Sequence, residues 1–214
     1  MIISHRHRFI FFAVPKTGTH AVREALRAHL GEDDLEQVGR FVQKRFPFPQ
    51  FANITHGHIS ARQIRPVLGE ETFSAYLKFG FVRNPFERFI SYCAFRGRDG
   101  SFASDPARYI RFTISQIRPP VPLLFLPQSE FLMDEQGKLA MDMIGHTETM
   151  QEDYDRICEK AGLPRTTLER SNESEHGDYR DYFDSEVENW VARFYASDFE
   201  MFGYSRELHA AQPA

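Results

Sequence analysis

The sequence predicts an α/β fold: a central, mainly parallel sheet flanked by helices, with further helices added toward the C-terminal end. Two observations carry this. Residues 9 to 14, Phe9-Ile10-Phe11-Phe12-Ala13-Val14, are a continuous apolar run of strand length, the pattern of a strand buried on both faces. An amphipathic segment follows after one tight turn. The same order of strand, turn and helix returns in YLKFGFVRNPFERFISYCAF, residues 76 to 95, and strands that alternate with helices pair in parallel. The 214 residues are 42% hydrophobic and include 21 Phe, enough for a single domain spanning 1–214 with an aromatic core.

Along the chain, Val22, Leu26 and Leu30 recur at helical spacing, with Arg23 and Arg27 off that stripe and Gly31 as the stop. NITHGHISARQI, residues 53 to 64, reads as a short strand, a His-Gly-His turn and a helix. The second strand ends near Val82 or Arg83. Asn84 is its helix N-cap, Pro85 takes the first helical position and Glu87 closes a capping box. Asp105-Pro106 starts a helix that runs to about Ile117. Residues 130 to 144 read as a hairpin turning at Asp134 to Gly137. A helix begins near Glu148 and stops at Gly162, and Ser185 with Glu188 forms a capping box for the last amphipathic stretch.

Charge is divided unevenly. Residues 1–130 carry 18 Lys and Arg against 11 Asp and Glu, a net of +7; the remainder carries 8 against 19, a net of −11. A basic first part suits an anionic ligand, and the acidic remainder argues against nucleic acid as a partner. Cys93 and Cys158 sit in apolar stretches and read as buried free thiols of a reducing compartment, so a cytoplasmic protein is expected. In that setting the sequons at 53–55 and 172–174 are chance. No run has the length of a membrane span, and nothing in the sequence signals oligomeric state.

The turn Pro15-Lys16-Thr17-Gly18-Thr19-His20 links the first strand to its helix. Such a turn aims the unsatisfied N–H groups and positive dipole end of the helix outward, an anion site. Gly18 allows close backbone approach, Thr17 and Thr19 add hydroxyl groups, and Lys16 adds a point charge. The order of residues is not G-x-x-x-x-G-K-[ST], because the lysine precedes the glycine and the first glycine is missing. Arg83 lies at the carboxyl end of the second strand, where parallel sheets bind ligands. Read alone, Arg83 is a surface ion pair and Ser91 a solvated helix hydroxyl.

VPKTGTH at 14 to 20 and KFGFVRNPFERFISY at 78 to 92 resemble the two donor-binding motifs of sulfotransferases that use 3'-phosphoadenosine 5'-phosphosulfate. Among these the chain is similar to the carbohydrate sulfotransferases that include the uronyl 2-O enzymes. HGHIS at 56 to 60 and FYASDFEMFGYS at 194 to 205 extend the likeness. The resemblance implies a P-loop-like, three-layer fold. It implies that Lys16 meets the bridging oxygen of the 5'-phosphosulfate, that Pro15, Thr17, Gly18, Thr19 and His20 form its cradle, and that Arg83 and Ser91 hold the 3'-phosphate. His20 departs from the family pattern, in which a small hydroxyl residue is usual. The second histidine of the H-G-H segment, His58, is implied as general base, with His56 assisting. The donor's product is adenosine 3',5'-bisphosphate, and no metal is implied; His56 and His58 alone are too few ligands for one.

Three functions thus stand at this point: sulfuryl transfer to a hydroxyl of a carbohydrate or glycoconjugate, a P-loop-like nucleotide kinase, and a non-catalytic nucleotide sensor. Tyr179, Tyr182 and Phe183 read as core rather than as a sugar platform. His5 and His7 read as solvated.

Overall fold

A computed structural model describes residues 1–39, 44–117, 119–169 and 177–210. The strands are β1 (Ile2–Ser4), β2 (Phe9–Phe12), β3 (Leu35–Glu36), β4 (Leu77–Val82) and β5 (Met143–His146). The first helices are α1 (Thr19–Arg27), α2 (Ala61–Leu68), α3 (Glu70–Ala75), α4 (Pro85–Arg96) and α5 (Ser101–Ser104). They are followed by α6 (Pro106–Ser115), α7 (Pro122–Phe125), α8 (Ser129–Leu132), α9 (Met150–Ala161), α10 (Ser185–Phe194) and α11 (Ala196–Phe202). The chain divides into two compact units: residues 1–82 with 128–171, and residues 83–127 with 172–214. The second sequon, at 172–174, lies outside the described residues.

The first unit holds the whole sheet, in the order β3-β1-β2-β4-β5. β2, β4 and β5 run parallel, with Phe11 opposite Phe79 and Phe81 opposite Gly145. β1 pairs antiparallel with both β2 and β3. The sheet is therefore parallel on one side of β2 and antiparallel on the other, a correction to the mainly parallel expectation. Two short strands cause it: β1 and β3, of three and two residues, are too brief to show a period. Along β2, Phe9, Phe11 and Ala13 face a core that includes Phe79, Phe81, Val22, Leu26, Tyr154 and Ile157. The opposite face is equally dry, with Ile3, Ile10 and Phe12 fully buried. Gly80 leaves room there for Leu132 of α8, whose Cδ2 lies 3.1 Å from where a Cβ would stand. Each such Phe contributes about 2–3 kcal/mol of transfer free energy, an upper figure against an extended chain.

Several local expectations change. Residues 53–55 form no strand, because the Ile54 carbonyl is taken by side chains, Gln37 Nε2 at 2.8 Å and Arg45 Nη1. The turn from Asp134 to Gly137 is present, with the Met133↔Leu139 bridge beside it, but 143–146 leave the hairpin to join β4 in parallel. Gly162 ends α9 in the left-handed region, as its sequence position requires. His5 is half-buried, its Nδ1 2.8 Å from the Tyr76 hydroxyl, rather than solvated. Both cysteines are buried and free.

The second unit is helical and aromatic. Asn84 caps α4 by accepting from the Phe86 N–H at 2.9 Å, while Glu87 pairs with Arg83 at 2.7 Å instead of closing a box. Asp184, one residue before the expected Ser185, caps α10 by accepting from Glu186 and Val187. Arg88 is 1% exposed and donates to the carbonyls of Leu124 and Leu126 at 3.2 and 2.9 Å. Tyr195, lying under the Arg88 guanidinium, donates to Phe125 O at 2.9 Å. Tyr179 is core, and Phe183 packs edge-on against Phe86. Among the described residues no helix is long and apolar enough to cross a membrane.

Asp153 joins β5 to α9 in the first unit. Its carboxylate is 2% exposed and accepts from His146 N–H at 2.7 Å, from Thr149 Oγ1 at 2.8 Å, and from Arg156. Burial alone raises its pKa, yet these donors hold the carboxyl below the usual range. Asp153→Ala strands the His146 N–H, so urea unfolding should show a loss of about 2–4 kcal/mol. A loss under about 0.5 kcal/mol contradicts this account of how β5 is held.

Candidate active site

β2 ends at Phe12, and the chain passes Ala13-Val14-Pro15 before turning into α1. The turn is built from two left-handed residues, Lys16 at φ +68° and Gly18 at φ +66°. Gly18 takes that conformation at no steric cost; Lys16 does not, and a non-glycine residue held there marks a loop whose geometry is fixed by its surroundings. Thr17 supplies part of that fixing. It is fully buried, and its hydroxyl donates to Val14 O at 3.0 Å, closing the turn from inside. Its proton is committed to the loop itself rather than presented outward. Gly18 is the N-cap of α1 and contributes no side-chain cap, so the positive end of the helix is left for another group to meet. A Cβ at Gly18 falls 2.6 Å from Met150 Cε, which covers the loop on that side. Thr19 is 5% exposed and His20 is exposed.

The H-G-H segment comes to this loop through one bond. His58 Nδ1 lies 2.6 Å from Ala13 O, two residues before Pro15. A carbonyl only accepts, so Nδ1 carries the hydrogen and Nε2 presents its lone pair. His56 stacks on His58 with centroids 6.1 Å apart, and the His58 N–H donates to His56 Nδ1 at 3.3 Å. Gly57 is needed for the approach: a Cβ there falls 2.3 Å from Gln37 O. Gln37 holds the other side, its Nε2 donating to Ile54 O and His56 O at 2.8 and 3.3 Å. The His56 pKa is lowered by burial, then by the amino terminus and Arg45. Burial also pulls His58 down to about 3, with the Ala13 bond opposing and the nearby amino terminus, His56 and Arg23 adding to the fall. His58 is thus a neutral imidazole at ordinary pH.

Arg23 is the residue that sequence reading misplaced. It stands off the apolar stripe, yet α1 buries it together with Thr19, Val22 and Leu26, and it is 5% exposed. The only signal available was its spacing, one helical turn after Thr19, which sets both on one face. His20 feels it: partial desolvation and then the Arg23 charge lower the His20 pKa.

Arg83 and Ser91 belong to the second unit. Arg83 is the first residue after β4 and is ion-paired with Glu87. Ser91 is 1% exposed on α4, so it is not the solvated hydroxyl that its helical position alone indicates. β2 and β4 are adjacent and parallel, so the loop after the one and the residue after the other both follow carboxyl ends of neighbouring strands.

A family model described as "Sulfotransferase family" matches residues 1–98 and 107–205. The chain belongs to the sulfotransferase family. An uncharacterised protein of Archaeoglobus fulgidus is 27% identical over 121 residues, 56% of this chain and 96% of that protein. No solved structure matches. The match of the sulfotransferase family covers both strand–loop–helix junctions, the H-G-H segment and the closing helices, and it makes the chain a transferase whose acceptor bears a hydroxyl.

A depression of about 300 Å³ lies elsewhere in the first unit, lined by Arg65, Glu70, Phe73, Lys78, Asp134 and Asp142. It sits at the amino end of β4, opposite the loop edge. Its cations are spent internally, Lys78 on Asp142 and Arg65 on Glu70, both at 2.7 Å. Among the described residues no three His, Cys, Asp or Glu side chains are grouped as for a metal ion.

The depressed pKa of His58 gives a pH signature. In the unfolded chain an imidazole takes its proton near about pH 6.5, whereas His58 in the fold resists to about 3. Between those values the unfolded state binds more protons, so stability is full above the higher value and is lost as pH falls toward the lower. Wild-type protein should therefore lose about 2 kcal/mol more than His58→Gln between pH 7 and pH 5. Urea titrations of both at the two pH values check this, and equal losses refute it.

Proposed function

We propose that this sulfotransferase moves a sulfuryl group from 3'-phosphoadenosine 5'-phosphosulfate to a hydroxyl of a carbohydrate or glycoconjugate, with His58 as general base. The observation that carries the reading is the His58–Ala13 bond, which puts a neutral imidazole of fixed tautomer beside the Lys16 loop. The residues of the loop fit an oxyanion: a cation in a constrained backbone, an uncapped helix end and a glycine at the approach. The donor supplies an activated sulfur on a phosphate leaving group.

In the transfer the acceptor oxygen bonds to sulfur as the bond from sulfur to the bridging phosphate oxygen breaks. The acceptor proton passes to His58 Nε2, and the electron pair leaves with adenosine 3',5'-bisphosphate. Lys16 neutralises charge as it grows on that leaving oxygen, the point where electrostatic help is worth most. Thr19, Gly18 and the first-turn N–H groups of α1 orient the phosphate. His56 keeps the His58 ring in place through its stack. Arg83 and Ser91 are assigned the 3'-phosphate, a reading that rests on their motif and on Arg83 following β4. Arg83 is already aligned by Glu87, so the phosphate joins an existing ion pair.

Calorimetry with adenosine 3',5'-bisphosphate and with ATP tests the donor site. The bisphosphate should bind at least about tenfold more tightly than ATP, and Arg83→Ala should remove that preference at a cost of about 2–3 kcal/mol. With labelled donor and a panel of sugars, His58→Ala should lower kcat by about 10²–10⁴ while leaving bisphosphate affinity unchanged. Retained turnover in His58→Ala excludes the base assignment, and tighter binding of ATP excludes the donor.

A further inference from the structure

The proposed reaction uses the Lys16 loop and the histidine pair and leaves one buried cation without a role. Arg23 is 5% exposed on the inward side of α1, and its Nε has no hydrogen-bond partner. Among the described residues no carboxylate forms an ion pair with it. The carboxylate whose charge acts on it, Glu36, is already held on both oxygens, by Arg27 Nη2 at 2.6 Å and by Lys44 Nζ at 3.1 Å. Glu24 is exposed and binds Arg27 at 2.7 Å. Three cations thus gather about one buried carboxylate, and the third is left over. A guanidinium does not shed its proton to escape this cost, as a lysine or histidine does. A buried guanidinium that shares its one buried carboxylate with two other cations, and holds no ion pair of its own among the described residues, is an arrangement that favours taking up an anion.

We propose that Arg23, buried without a partner on the α1 face one turn beyond the loop, receives an anionic group that the acceptor carries close to its reacting hydroxyl. The inference rests on the reading of the site as a sulfuryl-transfer centre. Arg23 stands on α1 one turn after Thr19, on the helix that the Lys16 loop opens, and its charge acts on both His58 and His20. The planar fork of donors favours a carboxylate, sulfate or phosphate, bound through two parallel hydrogen bonds. The acceptor class is accordingly a hydroxyl compound with one local oxyanion. A neutral analogue leaves the guanidinium unpaired and binds more weakly.

Thermal unfolding tests this without knowledge of the acceptor. Wild type, Arg23→Gln and Arg23→Met are first saturated with adenosine 3',5'-bisphosphate. Sodium chloride is then replaced, at constant ionic strength, by acetate, sulfate or phosphate. At least one oxyanion should raise the wild-type midpoint beyond its effect on either variant, and the one that acts names the group. General salt effects fall on all three proteins alike and cancel in the comparison. Without oxyanion, Arg23→Met should unfold at or above the wild-type temperature, because an unpaired charge has been removed. Bisphosphate affinity should be the same in all three.

Equal responses to every oxyanion, or no response in wild type, overturn the proposal. So does failure of both variants to fold, or a fall in midpoint for Arg23→Met, since either makes Arg23 a structural cation. A loss of bisphosphate affinity in Arg23→Gln assigns the residue to the donor instead. Whether bisphosphate stabilises the wild type at all reports on the donor reading separately, and the oxyanion comparison is read in either case.

Discussion

The hydrogen bond from His58 Nδ1 to Ala13 O is the constraint on which the site depends. It does three things at once. It brings a segment that follows an irregular stretch to within a few residues of the Lys16 loop. It fixes the tautomer, because a carbonyl takes the hydrogen of only one ring nitrogen and leaves the other as an acceptor. It also sets the ring in a place that desolvates it, which keeps the imidazole neutral. Gln37 and Gly57 support the same bond from behind, one by gripping the Ile54 and His56 carbonyls, the other by being small enough to let Gln37 O approach.

That neutrality has a consequence for the chemistry. An imidazole whose conjugate acid has a pKa of about 3 always presents its lone pair, but it takes a proton reluctantly. Two of the causes, burial and the Arg23 charge, are properties of the protein without ligands. An anion close to the ring reverses the second: it offsets the guanidinium and stabilises the imidazolium as it forms. In the proposed reaction both substrates bring negative charge to this place. Negative charge there works against the burial that holds the base down.

How much of this was legible depended on whether a signal was local. The run at 9 to 14 and its turn gave β2, the loop and α1, since apolar continuity and a glycine before a helix are written in neighbouring residues. The Asp105 cap and the Gly162 stop were readable for the same reason. β1 and β3 were not, because strands of three and two residues have no period, and what makes them strands is pairing across the sequence. Capping failed by one residue at Asp184, where three adjacent acidic and hydroxyl side chains offer equivalent caps and packing selects among them. Glu87 was drawn from its box by Arg83, four residues earlier and one turn away. Of the site, Lys16, Gly18 and the histidines stood out by type and order. Arg23 did not: charged residues on amphipathic helices usually face water, and its burial follows from β3 and the residues around Glu36, which the sequence does not place beside it.

The second motif shows why recognition of a family reaches further than knowledge of its ligands. In residues 84 to 93 nearly every side chain is buried, Asn84 as a cap, Phe86 and Phe89 in the aromatic core, Arg88 as a staple. Arg88 ties the carbonyls of Leu124 and Leu126 to the ring of Tyr195, and buried Asp198 acts on it electrostatically. Tyr195 and Asp198 lie in the closing stretch at 194 to 205, far along the sequence. In this chain that stretch therefore has a structural task, the enclosure of one guanidinium. Density of a motif is then partly a record of packing. In the proposed reaction the acceptor meets His58 and Arg23, which lie outside both motifs. On that proposal Arg23, buried without an ion pair among the described residues, carries more information about the acceptor than the motif residues around it.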